Sequence, residues 1–251
     1  MTARRILRLS GPETEEFLQG LITNDTAGLK DGLVYAALLT PQGKFIADFF
    51  LLRDCEDILL DVAEDLAEDL ARRLTMFKLR SQVTLERIEL PVTRGIGPAP
   101  EGAIADPRDP TLGWRLYGQA LQQGEPVDWA GLRIEARVPE MGAELVSGDS
   151  FILELGFERL KGVDFRKGCY VGQEVTARMH HKTTLRKRLV AVDVAGAVPV
   201  GTPVLMEDGR EAGMLYTQSA GRGLALMRMD RAEGRLSADG VAVSVPQSER
   251  A

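Results

Sequence analysis

Residues 33–63 read LVYAALLTPQGKFIADFFLLRDCEDILLDVA. Two apolar runs, 33–40 and 45–52, are joined by Pro41-Gln42-Gly43-Lys44. Pro and Gly between β-prone runs predict a hairpin. DILLDVA, after Asp54, predicts a third strand. The pattern then changes period. DLAEDLARRLTMF places apolar residues at 66, 70, 74 and 77, the spacing of an amphipathic helix. SQVTLERIEL returns to a strand pattern. Upstream, residues 10–26 are expected to form a helix, with Ser10 as N-cap, Pro12 in the first turn and Phe17, Leu18, Leu21 and Ile22 as the apolar stripe. Strands and helices mixed in this way make the fold class α+β.

Residues 91–112 are rich in Pro, Gly and Asp and read as loops between short strands. GWRLYG is expected as one of those strands, and WAGLRIEARV (129–138) as a helix. After about residue 186, RKRLVAVDV, TPVLMED, REAGMLYTQ, RGLALMRM and GVAVSV are short strands split by Gly and Pro, the pattern of a small all-β barrel. Three portions are expected: 1–90 and 91–185, both α+β, and a barrel at 186–251.

The 251 residues, 44% apolar, suffice for a sizeable core. The opening MTARRILRLSGPETEE lacks the apolar run of a secretory signal, and no stretch is long and apolar enough for a membrane span. Cys55 and Cys169 lie far apart in sequence, so a reduced, cytoplasmic setting without a disulfide is expected. The net charge of −6 argues against direct nucleic-acid binding. Residues 161–190 depart from it, with eight Lys/Arg against two acids, a local field able to hold an anion.

That basic region contains KGCYVGQEVTARMHH (167–181), with one of the two cysteines and both histidines. Arg166, Lys167 and a following helix N-terminus would favour the Cys169 thiolate, the form that binds metal or attacks an electrophile. His180 and His181 are too far along a helix starting near 172 to serve as its base. A zinc site would need both cysteines and both histidines, without close paired spacing. An iron–sulfur cluster needs about four ligands, so this chain could supply Cys169 only to a cluster shared with another protein. Gln173 and Glu174 suit the first turn of a helix, and Gly168 and Gly172 read as conformational. Tyr170 is either core or a stacking surface for a planar ligand, and Cys55 reads as structural or incidental.

Lys167–Glu174 resembles the K-G-C-Y-x-G-Q-E signature of the YgfZ-type folate-binding proteins, relatives of the aminomethyltransferase (GcvT, T-protein) of the glycine cleavage system. FLQGLITNDT, LLTPQGKFIAD, DPRDPTLGWRL and RIEARVPEMG resemble the same family in the same order. Thr176–His181 followed by Arg186-Lys187-Arg188 is similar to its mitochondrial branch, which assists iron–sulfur cluster assembly. The resemblance implies a GcvT-like fold around a central cavity with a C-terminal β-barrel, and tetrahydrofolate as a ligand. It also implies an accessory role in iron–sulfur cluster assembly or repair, without conventional catalysis, serving 4Fe–4S client enzymes and only indirectly tRNA modification.

Cys169 matches the critical thiolate, a ligand to a [2Fe–2S] cluster bridging to an A-type carrier protein, with Lys167 beside it. Trp129 matches one of two tryptophans that line the folate site in bacterial members, and Arg4 falls near the other. Arg4, Asp48, Trp129, Tyr170, Gln173, Glu174 and Arg178 are the candidate folate contacts. The alternative is a tetrahydrofolate-dependent, aminomethyltransferase-like one-carbon transferase. Against it, the strand at 45–50 carries Asp48 where those enzymes carry an Asp pair.

Overall fold

A computed structural model describes residues 3–121, 125–182 and 185–250. The expected hairpin is present as β2 (Val34–Leu39) and β3 (Phe45–Asp54), followed by β4 (Asp57–Ala63), α2 (Glu64–Lys78) and β5 (Thr84–Ile88). One strand escaped the sequence reading: β1 (Arg4–Ser10) inserts between β4 and β5, giving the antiparallel order β2-β3-β4-β1-β5. Every residue of β2 is buried, as are most of β3 and β4. Continuous apolar runs, rather than alternation, are what a sheet covered on both faces requires. Leu66, Leu70 and Leu74 of α2 are buried, and the helix packs on β1, β3 and β4. Phe157 reaches Tyr35 of β2, ring centroids 5.1 Å apart.

The helix expected over 10–26 is only α1 (Thr14–Gln19). Ser10 ends β1 instead of capping a helix, and Ile22 bridges to Leu38. The reason is competition for backbone groups. The Thr23 N–H bonds to the Ala37 carbonyl, and the carbonyls of Gln19, Ile22 and Asn24 all accept from Lys167 Nζ. Tertiary partners thus take the groups that a longer helix would have used.

The middle portion holds β6 (Val92–Gly95), β7 (Ile104–Ala105) and β8 (Trp114–Tyr117) in the order β6-β8-β7, then α3 (Trp129–Ala136) and α4 (Gln173–Lys182). The expected short strands and both helices are there. Its buried residues, among them Leu145, Ile152, Phe157, Leu160 and Tyr170, join the core of the first sheet. β9 (Lys187–Val194), β10 (Thr202–Met206), β11 (Glu211–Ser219), β12 (Arg222–Arg228), β13 (Leu236–Ala238) and β14 (Val241–Ser244) close into a barrel in the order β10-β11-β12-β9-β14-β13, with a core of its own. β13, three residues within GRLSADG, was too short to read from sequence. α5 (Gln247–Arg250) follows. Polar bonds pin the barrel to the middle portion. Arg133 Nη2 donates to Thr217 Oγ1 at 2.7 Å, and Glu144 Oε1 accepts from the Thr217 N–H at 3.2 Å. No helix among the described residues is long and apolar enough to cross a membrane.

Candidate functional sites: a guanidinium-lined cavity and the Cys169 turn

The first and middle portions meet around a cavity lined by Arg4, Asp48, Trp129 and a set of charged residues from the middle portion. Three of the seven candidate folate contacts are therefore brought together. Tyr170, Gln173, Glu174 and Arg178 do not line it. The basic charge at the cavity comes from Arg4, Arg94, Arg108, Arg115 and Arg133, not from the basic run at 161–190.

The cavity's wall is a buried ion network. Asp61, in mid-β4, accepts from Arg4 Nε at 2.6 Å, Arg115 Nη1 at 3.1 Å and the Tyr117 hydroxyl at 2.9 Å. Asp106 accepts from Arg108 Nε and Nη2 at 2.9 and 2.8 Å and from Arg115 Nε at 3.3 Å. The Arg115 and Arg108 guanidiniums lie 3.8 and 4.8 Å from the Phe50 ring centroid. Burial by itself would raise the Asp106 carboxyl. The charge and hydrogen bonds of Arg108, with Arg115, overcome it and hold Asp106 well below the usual carboxylate range. Burial, and then the charge of Asp48, pushes the Tyr35 phenol well above its ordinary value.

Asp48 is buried, and its Oδ2 accepts from the Tyr35 hydroxyl at 2.9 Å. Arg4 is likewise committed, its Nε to the Asp61 carboxylate and its Nη2 to the Asp61 carbonyl at 2.7 Å. The guanidinium available to an external anion is Arg94. It lies 4.1 Å from the Trp129 ring centroid, and its buried Nε has no hydrogen-bond partner. Burial, then repulsion from Arg115 and Arg108, pulls it below the ordinary arginine value.

The sequence reading missed Asp61, Arg94, Asp106, Arg108, Arg115 and Arg133. Asp61 carried a signal, an acid inside the apolar run DILLDVA. Asp106, Arg108 and Arg115 carried another, being charges packed among Pro and Gly in DPRDPTLGWRL.

The second site is the turn before α4. Lys167 is buried, and its Nζ donates to the carbonyls of Gln19 at 2.8 Å, Ile22 at 2.6 Å and Asn24 at 2.9 Å. It anchors the turn to the chain after α1 and does not itself line the pocket that holds Cys169. Gly172 has φ +84°, and a Cβ there would lie 2.6 Å from the Thr40 carbonyl oxygen and 2.9 Å from Leu39 Cβ. Only glycine fits this approach to the β2–β3 hairpin. Gly168 is under no such constraint, with open space around it.

Cys169, between these two anchors, is exposed. It shares a shallow surface pocket with Glu15, Glu16, Gln19, Gly20, Asp25, Thr26 and Ala27. The electropositive setting expected for its thiolate is therefore not found. The ionisable groups lining that pocket are carboxylates, and Arg166 points into solvent, its side chain 94% exposed. Tyr170 is a core residue, and burial pushes its phenol up to about 12. Gln173 starts α4, its N–H bonded to the Tyr170 carbonyl, while Glu174 and Arg178 are exposed. Cys55 is exposed in the β3–β4 turn at φ 53°.

Residues 186–250 match the family model described as "CAF17, C-terminal beta-barrel domain". The chain is 32% identical to the iron-sulfur cluster assembly factor IBA57, mitochondrial, of Mus musculus, and 31% identical to that of Homo sapiens. Each match covers 94% of this chain and 78% of the relative. The IBA57 homolog of Mycosarcoma maydis is 34% identical over 78% of this chain and 57% of its own. Among solved structures, the glycine cleavage system aminomethyltransferase T from Bartonella henselae superposes with a TM-score of 0.74 at 15% identity, covering 99% of this chain and 84% of that one. The expected aminomethyltransferase-like fold with a C-terminal barrel is thus present. The expected cytoplasmic location is corrected, because these curated relatives are mitochondrial proteins, which points to the mitochondrion. By sequence along nearly its whole length, the chain belongs to the IBA57 family of iron–sulfur cluster assembly factors.

Proposed function

We propose that the protein assists iron–sulfur cluster assembly by presenting Cys169 as one ligand of a [2Fe–2S] cluster shared with an A-type carrier, on the way to 4Fe–4S client enzymes. Effects on tRNA modification follow indirectly, through modifying enzymes that carry such clusters. The observation that carries this reading is the exposed thiol held between two fixed points, the Lys167 ammonium and the Gly172–hairpin contact. A ligand that must meet a partner's ligands benefits from a rigid backbone and an open approach. The lining carboxylates suit the cationic charge of iron rather than a bare thiolate.

The test is anaerobic reconstitution with iron and sulfide in the presence of an A-type carrier. Wild type is expected to give a coloured heterocomplex, read by visible absorption and native mass. Cys169→Ser is expected to give none, with an unchanged melting temperature because the side chain is exposed. A coloured complex of equal yield from Cys169→Ser would overturn the reading.

A second reading concerns the cavity, where the resemblance to YgfZ-type proteins suggests tetrahydrofolate. The side chains match such a ligand in kind: an aromatic face in Trp129, a carboxylate in Asp48 and, in Arg94, a guanidinium whose buried Nε has no hydrogen-bond partner. The free volume of about 30 Å³ holds only one or two waters, so a pterin enters only after Arg94 leaves the Trp129 ring. Arg94 then pairs with the ligand's carboxylate. Arg94→Ala is expected to weaken folate binding by about ten-fold or more, the worth of one charged hydrogen bond. Quenching of tryptophan fluorescence reads the affinity. Tighter binding by Arg94→Ala would show that the arginine blocks the site and does not serve it.

A further inference from the structure

The end of α4 holds an arrangement that neither the thiol nor the cavity uses. His180 and His181 are adjacent on the helix, where neighbouring side chains normally diverge by about 100°. Here their Nδ1 atoms lie 3.3 Å apart, with the rings nearly perpendicular at 81°. His180 Nε2 lies 3.0 Å from Glu158 Oε1. The His180 ring is stacked on Phe165, centroids 3.9 Å apart and planes inclined by 22°.

Each feature bears on how these rings are oriented. The Glu158 contact favours the tautomer of His180 that carries its proton on Nε2, which leaves Nδ1 with a lone pair facing His181. A carboxylate bonded to the remote ring nitrogen is the usual support of a metal-ligating histidine, since it sets both tautomer and ring orientation. Two nitrogens bound at about 2.0–2.1 Å to one tetrahedral ion stand roughly 3.3 Å apart. The site also lies in the last turn of a helix, where the dipole favours positive charge.

We infer that His180 and His181 chelate one divalent transition-metal ion through their Nδ1 atoms, with Glu158 as the supporting carboxylate. Imidazole pairs suit zinc, iron, nickel and copper rather than magnesium or calcium. Among the described residues no group of three His, Cys, Asp or Glu converges on a metal position, so water or a partner's side chain completes the shell. This site stands apart from the shared-cluster reading and does not depend on it.

The chain has two histidines, so each ring is seen separately in a histidine-ring ¹H–¹⁵N correlation spectrum. Zinc is titrated into the Cys55→Ser, Cys169→Ser double variant, which removes both exposed thiols as competitors. The expected result is that both Nδ1 resonances move in one saturable step with a common midpoint, while the His180 Nε2 stays protonated. Glu158→Gln is expected to raise that midpoint about ten- to a hundred-fold, the usual effect of losing a supporting carboxylate. His181→Ala is expected to weaken the response of His180 by about ten-fold or more, and since His181 is exposed the helix should be retained. Separate midpoints for the two rings, binding through Nε2, an unchanged His180 response in His181→Ala, or no saturable response would each overturn the inference.

Discussion

Asp61→Asn is expected to destabilise the protein by on the order of 3–5 kcal/mol, because it leaves buried guanidiniums without their counter-charge. The carboxylate holds Arg4 and Arg115 together with the Tyr117 hydroxyl, and Asp61 and Arg115 are each only 2% exposed at the side chain. Asparagine keeps the volume and part of the hydrogen bonding but not the charge. Coulomb repulsion between Arg4 and Arg115 then goes uncompensated in a site of low dielectric. For a chain of this length the loss corresponds to a fall of roughly 10 °C in melting temperature. Asp48→Asn is the control. Its partner, Tyr35, is neutral, so the expected cost is about 1 kcal/mol. Denaturant unfolding of both variants decides the matter. Equal effects would mean that the network at Asp61 stabilises no more than a single neutral hydrogen bond.

Lys167→Met is expected to lose about 3 kcal/mol, one increment for each carbonyl left without its donor. Methionine keeps the apolar stem, so the difference isolates the ammonium. Lys167→Arg is expected to recover little, since a planar fork cannot meet three carbonyls that converge on a single tetrahedral nitrogen. Burial pulls the Lys167 amine down to about 8. Its pKa is thus lower in the folded protein than in the unfolded chain, where it is about 10.4. Between these values the unfolded chain binds more protons, so stability rises with pH across that window. Lys167→Met should lose this rise, which unfolding midpoints at pH 7.5 and 9.5 would reveal. Because Lys167 anchors the turn that carries Cys169, the variant is also expected to lower the yield of shared cluster in reconstitution. A Lys167→Met protein as stable as wild type at both pH values would return Lys167 to the role of a chemical neighbour of the thiol.

Legibility from sequence differed from element to element. The hairpin at 33–52, α2 and the barrel strands were readable because their apolar periods are long and their turns are punctuated by Pro and Gly. β1 was not, since RRILRLS sits before a stretch with better helix signals. The helix over 10–26 was over-extended because no local signal shows that Lys167, some 145 residues away, takes its terminal carbonyls. At the cavity, Arg4, Asp48 and Trp129 were found through resemblance. Arg94 was not, because a lone arginine in the short strand VTRG looks like any surface charge until Trp129 is seen beneath it. The basic run at 161–190 misled the reading of Cys169 in the opposite direction. Net charge along the chain does not determine which charges lie beside the thiol.

The sequence by itself determined the α+β class, the closing barrel and the membership in a family of iron–sulfur cluster assembly factors. These depend on local period, on turn residues and on a contiguous signature. Only the tertiary structure decided what surrounds each functional side chain. It made Lys167 a structural anchor, Tyr170 a core residue, Arg4 a partner of Asp61 and Arg94 the available guanidinium. The physical reason is that protonation and pairing depend on burial and on charges within a few ångströms, and in a folded chain those neighbours come from distant segments.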